Sequence, residues 1–311
     1  MPKYMNINSW YEANIEKGGM NIKKIIRPVK HRAEAVLILG LLAVLGMLPV
    51  DMASAIGGKV VRIVGPYMRQ HKRALDNLAR FMPALSEKER KALALTMWEN
   101  AGRVFGEIPH GKRILDDPER FRFIGIEEAI EGVPDDLGGV TVSGHCGNWE
   151  ISPAPSYKLK KPQLSFYRSI NNRILDRALK KYREEICTGE MVAKGADSMK
   201  RAMQAVQKGQ FIGMLVDQRE SQGIVAPFMG VDAKTNHAPA LLVCRYKVPL
   251  YIGFVIREKG AHFRMECQRV DFDLTGDNKI DVLAITTKIN DIFSAWILKH
   301  PDQWLWTTRR W

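Results

Sequence analysis

Residues 139–150, GVTVSGHCGNWE, run from a glycine-bounded apolar tract into a glycine-rich turn that carries a histidine. Val140, Thr141 and Val142 are β-branched, and Gly139 and Gly144 bound them, so the tract reads as a short buried strand. The residues after Gly144 read as a turn opening a helix. A strand feeding a helix through a tight turn is the unit of an α/β sheet, and chemistry collects at such turns, outside the carboxyl ends of the strands. In this reading His145 stands on the turn, with Asn148 and Glu150 about one turn into the helix.

Working outward, the same alternation repeats. Arg69 to Phe81 has helical periodicity, and Pro83 ends it. Ser86 and Glu89 form a capping box that opens a second helix running to about Gly106. Strands are predicted at 121–124, 163–168, 210–216 and 249–256, with 262–270 pairing onto the last. Helices are predicted at 172–185, 198–208, 235–246 and 280–298. Gly209 closes the second of these as a C-cap. No linker divides the pattern, so the expectation is one α/β domain with a central mixed sheet flanked by helices, over residues 57–311.

The turn itself suggests acid–base chemistry. A carboxylate beside a histidine fixes its tautomer and stabilises the imidazolium formed when it takes a proton. Glu150 folding back onto one nitrogen of His145 leaves the other free as a base. Gly144 and Gly147 let backbone N–H groups, with Asn148, approach a developing oxyanion. A plain strand–helix turn with a His–Glu hydrogen bond fits the pattern equally. His145 and Cys146 are adjacent, so their side chains diverge, and no second ligand pair follows; no metal site is expected. No G-x-S-x-G elbow is present for a serine esterase.

The 311 residues carry 47 Lys and Arg against 34 Asp and Glu, a net charge of +13. Such a chain seeks anionic partners: lipid headgroups, phosphorylated substrates, an acidic carrier protein or nucleic acid. The last is not expected, because no basic helix with interleaved aromatics occurs. The four cysteines form no C-x-x-C pair, and nothing suggests a disulfide framework, so a reducing compartment is the default.

Residues 1–34 are polar and basic; 35–50, AVLILGLLAVLGMLPV, hold no charge. As a helix this run spans about 24 Å, short of the roughly 30 Å hydrocarbon core, and continuing to Ile56 takes in Asp51. The expectation is a membrane-spanning or membrane-inserted helix at 35–56. A signal peptide and a buried core helix are the competing readings.

On these residues the chain resembles the bacterial lipid A biosynthesis acyltransferases. The resemblance rests on His145 to Glu150 in GHCGNWE, on Tyr167-Arg168 with Asn171-Asn172, on Asp217-Gln218 with Pro227-Phe228-Met229-Gly230, and on His300-Pro301-Asp302-Gln303-Trp304 leading to Arg309-Arg310. Met229 and Thr307-Thr308 depart from the usual pattern. The resemblance implies a glycerolipid-acyltransferase-like fold behind an N-terminal membrane helix. It implies transfer of a fatty acyl chain from the phosphopantetheine thioester of acyl carrier protein to a hydroxyl of a lipid A precursor, at the cytoplasmic face of the inner membrane. No cofactor is implied beyond that co-substrate. His145 is then the general base and Glu150 its orienting partner. Gly147, Asn148, Arg168, Asp217, Arg309 and Arg310 are candidate oxyanion or substrate contacts. The motif reads base and hydroxyl but not headgroup, so another lipid acceptor, such as a lysophospholipid, ornithine lipid or glycolipid, is the alternative.

Overall fold

The strands form where β-branched and apolar residues run unbroken, because they are covered on both faces. A computed structural model describes residues 22–134 and 136–311. Helices α1 (Ile22–Met47), α2 (Val50–Val64), α3 (Arg69–Phe81), α4 (Glu87–Glu107) and α5 (Gly111–Asp116) lead into β1 (Phe121–Ile124) and α6 (Ile126–Ile130). Then come β2 (Val140–Ser143), α7 (Ala154–Leu159), β3 (Gln163–Tyr167), α8 (Arg173–Glu184), β4 (Gly189–Ala193), α9 (Ser198–Gln207) and β5 (Phe211–Leu215). A hairpin of β6 (Ile224–Phe228) and β7 (Val231–Thr235) precedes α10 (Ala238–Tyr246), β8 (Leu250–Lys259), β9 (His262–Arg269) and α11 (Asn278–Lys299).

The main sheet has the order β1-β9-β8-β2-β5-β3-β4. Strands β8, β2, β5, β3 and β4 are mutually parallel, whereas β9 is antiparallel to β8 and parallel to β1. The expected mixed α/β sheet is therefore present. Its parallel core sends the carboxyl ends of β2, β3, β4 and β5 to one edge. Register decides what each face carries. Thr141 lies opposite Gly213 and Tyr251, Ser165 opposite Gly213, and Gly253 opposite Cys267. Apart from Tyr251, these positions carry small residues. The alternate positions, Val140, Val142, Ile212, Met214, Leu164 and Phe166, join the main hydrophobic core.

The expected elements at 69–81, 86–106, 172–185 and 280–298 are present within two residues of their predicted ends. The helix expected directly after the histidine turn is not. A 3-10 turn, Trp149–Ile151, comes first, and α7 has six residues. The β6–β7 hairpin was not expected: Pro227 and Lys234 disguise its alternation, and its second strand runs to Thr235, so the helix expected at 235–246 starts only at Ala238.

The membrane-spanning helix is corrected. Of the basic segment, residues 1–21 lie outside the described residues. Among the described residues no helix is long and apolar enough to cross a membrane. The uncharged run forms the second half of α1, which ends at Met47, and Pro49 then caps the start of α2. The run also has two sides. Ala35, Leu42 and Leu45 are buried, while Val36, Leu37, Val44 and Met47 are 57–84% exposed. α2 repeats this, burying Ala53, Ser54 and Gly57 while Met52, Ile56, Val60 and Ile63 face outward.

α2 crosses α4 with backbones nearly touching. A Cβ on Gly57 would stand 2.3 Å from the Gly102 carbonyl oxygen, and one on Gly106 would stand 2.3 Å from that of Ala53. Gly40, on the exposed side of α1, meets nothing within 4 Å. Gly57→Ala is therefore expected to destabilise by about 1–3 kcal/mol through overpacking, and Gly40→Ala to be neutral or stabilising by up to about 1 kcal/mol. Thermal unfolding of both variants in one detergent tests this; equal midpoints would contradict the close crossing.

Candidate active site

Three segments meet at the carboxyl edge of the parallel strands: the turn after β2, the residue pair after β5, and the C-terminal stretch after α11. His145 Nδ1 lies 2.8 Å from Asp217 Oδ1. The His145 backbone N–H donates to Asp217 Oδ2 at 3.0 Å, and Trp304 Nε1 donates to the same oxygen at 2.8 Å. One buried carboxylate thus holds both the ring and the backbone of the histidine. Burial pushes Asp217 up, but the charge and hydrogen bonds of His145 outweigh it, and Asp217 stays below its ordinary range. Burial pushes His145 down, and the charge and hydrogen bond of Asp217 reverse this, with Glu150 adding a smaller pull, so the imidazole lies above its ordinary value.

Nδ1 facing a carboxylate carries the proton, which leaves Nε2 unprotonated in the neutral ring. Gln218 Nε2 is 3.3 Å from both ring nitrogens. An in-plane atom equidistant from the two would collide with the carbon between them, so the amide lies over the ring face and the Nε2 lone pair stays open. His145 lines a cavity of about 860 Å³ that extends across the small-residue face of the sheet. Its deep walls include Ile126, Ala129, Phe211, Tyr251, Ile252 and Met265.

The expected partner of His145 is corrected. Glu150 gives both carboxylate oxygens to Arg183, at 2.6 and 2.8 Å, in a bidentate pair. Both residues line the cavity beside His145. Asp217, expected only as a candidate contact, is the residue bonded to the imidazole. Glu150 misses the ring because the 3-10 turn aims it away, where an α-helix would have folded it back.

The turn residues Gly147 and Asn148 are also bonded within the fold. Gly147 has φ +50°, and a Cβ there would stand 2.2 Å from the Val255 carbonyl oxygen. Its N–H donates to Gln303 O at 2.9 Å, and the Cys146 N–H donates to Gly144 O at 2.8 Å. Asn148 is buried. Its amide donates to Glu107 Oε2 at 2.8 Å, and its Oδ1 accepts from the Glu150 N–H at 3.1 Å. These bonds hold the turn in shape.

The remaining candidates separate. Arg168 is exposed and lines the cavity. Arg309 is exposed and does not line it. Arg310 is fully buried over the Phe228 ring and donates to Gln218 O, Lys234 O, Thr235 Oγ1 and Asn290 Oδ1, so it ties down the C-terminus. Burial pushes it down to about 10. Sequence reasoning missed Arg183, whose helix gave no sign of facing the site, and gave no role to Trp304, although it stands in the C-terminal block quoted above.

The family model for bacterial lipid A biosynthesis acyltransferases matches residues 22–311, so the chain belongs to that family and is an acyltransferase of lipid A synthesis. A search of curated proteins gives no match.

Cys146 follows the histidine yet is buried, and its thiol lies well above the ordinary range through burial and then the Asp217 charge. Iodoacetamide at pH 8 is expected to leave Cys146 unmodified until the chain unfolds, as read by peptide mass spectrometry. Rapid alkylation of native Cys146 would contradict the assignment.

Proposed function

We propose that this lipid A biosynthesis acyltransferase moves a fatty acyl chain from the thioester of acyl carrier protein to a hydroxyl of a lipid A precursor, with His145 as general base. The observation that carries this reading is the Asp217–His145 pair, with a free Nε2, at the end of a deep cavity with apolar walls. A hydroxyl is a weak nucleophile at neutral pH, so attack on a thioester needs a base poised near pH 7. Nε2 takes the hydroxyl proton as the oxygen attacks the thioester carbon. The new C–O bond forms, the C–S bond then breaks, and the imidazolium returns its proton to the departing thiolate. Asp217 stabilises that imidazolium throughout and Glu150 adds negative charge nearby. The cavity accepts the acyl chain, and Arg168 stands where the polar end of a substrate would pass. The acceptor hydroxyl belongs to a lipid, and the alternative acceptors named above fit the same base.

The exposed faces of α1 and α2 support membrane attachment by insertion. Two neighbouring helices present Leu37, Leu41, Val44, Ile56, Val60 and Ile63 outward, an apolar area of the kind that marks a binding surface. Arg27, Lys30, Arg32 and Lys59 lie exposed on the same helices, suited to anionic headgroups. We place this face on the cytoplasmic leaflet of the inner membrane, within reach of a cytosolic acyl carrier protein.

His145→Ala is expected to abolish transfer without unfolding. Asp217→Asn is expected to cost on the order of 10²–10⁴-fold. It also removes the charge that chiefly raises His145, so burial is opposed only by the smaller pull of Glu150 and the acid limb of the kcat/KM profile moves to lower pH. Glu150→Gln, whose charge acts from further away, is expected to move that limb less. Near-normal turnover in His145→Ala, or an unmoved limb in Asp217→Asn, would sink the general-base assignment.

Glutamate at Leu37, Leu41 and Val44 together alters only exposed positions. The triple variant is expected to lose most of its sedimentation with phosphatidylglycerol vesicles at unchanged thermal midpoint. Full retention on the vesicles would show that other surfaces carry the attachment.

A further inference from the structure

The cavity has two characters. Its deep walls are buried, whereas the exposed residues that line it are Arg168, Ser169, Lys194, Arg219 and Ser221. The rim is therefore two guanidiniums, one ammonium and two hydroxyls. The fold explains the convergence. Arg168 follows β3 and Arg219 follows β5, which are paired neighbours in the sheet. Lys194 follows β4 on the other side of β3, and its backbone N–H donates to Tyr167 O at 2.9 Å.

Charge pairing divides this rim. Lys194 is neutralised by Glu220 at 3.4 Å. Arg183, deeper in, is neutralised by Glu150. Arg168 and Arg219 have no ion pair, hydrogen bond or ring contact among the described residues, although both are long side chains with acids in the same cavity wall. Two unpaired guanidiniums thus line one opening. A phosphate ester supplies the missing counter-charge and accepts bidentate hydrogen bonds from a planar guanidinium fork.

We propose that Arg168 and Arg219 form a phosphate-binding clamp over the cavity mouth, with the Ser169 and Ser221 hydroxyls as additional donors. The clamp fixes the polar end of a substrate while its reacting atom reaches His145. Two sources bring this chemistry: a phosphate monoester on the acceptor lipid, and the phosphodiester of the pantetheine arm on the donor. Assigning the phosphate to either substrate rests on the acyl-transfer reading; the clamp itself does not. Arg219 is the informative position, because it is exposed, has no hydrogen bond or ion pair among the described residues and carries no part of the base.

Thermal unfolding of the full chain is followed in inorganic phosphate and in chloride of equal ionic strength. Phosphate is expected to raise the midpoint of the native chain and of His145→Ala, and to weaken on the order of tenfold in apparent affinity in Arg219→Ala, the loss of one charge-assisted contact. Arg219→Lys is expected to restore less than half of the shift, since an ammonium lacks the fork. A shift no larger than that in chloride, or an Arg219→Ala response equal to the native one, would overturn the clamp. Persistence of the shift in His145→Ala separates failure of the transfer reading from failure of the site. In the transfer assay, a raised KM for a phosphorylated acceptor alone assigns the clamp to the acceptor. A raised KM for acyl carrier protein, absent with an acyl-pantetheine lacking phosphate, assigns it to the donor. A lowered kcat with both KM values unchanged would contradict either assignment.

Discussion

The carboxylate of Asp217 is the constraint on which this site depends. A buried charge is tolerated only when its lone pairs are satisfied, and here the donors are the His145 ring, the His145 backbone and the Trp304 indole. Two of these donors come from the histidine turn and the third from the C-terminal stretch. The histidine turn and the C-terminal stretch are consequently laced together: Gly147 N–H reaches Gln303 O, and Leu305 N–H reaches His145 O. Arg310 then clamps the carbonyl of Gln218, next to Asp217 itself. The charge that tunes the base also holds the chain that presents it.

A second buried charge supports the turn from the other side. Glu107, at the end of α4, pairs with Arg257 and accepts from Ser54 at 2.6 Å and Asn148 at 2.8 Å. Arg257 also donates to Asn100, which in turn holds the Gly147 carbonyl. Removing one partner of such a pair leaves an uncompensated charge, so the network resists displacement. Ser54 belongs to α2, which carries part of the outward apolar face. The surface suited to a bilayer and the turn that holds the base are thus two or three hydrogen bonds apart.

Much of this was legible in the residues. Val140-Thr141-Val142 between glycines gave a strand, Ser86 and Glu89 gave a helix start, and a histidine after a strand marked the site. The unread parts share a cause, which is that chemically equal residues were sorted by tertiary packing. Leu37 is exposed and Leu42 buried, so α1 looks apolar on every side although it has two. Arg309 is exposed and Arg310 buried, and nothing in the pair distinguishes them. Glu150 is near His145 in sequence and Asp217 far from it, yet β2 and β5 are adjacent strands and bring the distant carboxylate to the ring. Sequence proximity pointed to Glu150 as the bonded partner because the 3-10 geometry after Asn148 was hidden.

The central claim is that Asp217 holds His145 with its proton on Nδ1 and its affinity for protons raised. Nitrogen-15 spectra of the histidine ring across a pH titration test both parts in one experiment on the folded chain. The account expects the Nδ1–H tautomer in the neutral ring and a titration midpoint above the ordinary histidine value of about 6.5. A neutral ring protonated at Nε2, or a midpoint below that value, would contradict it.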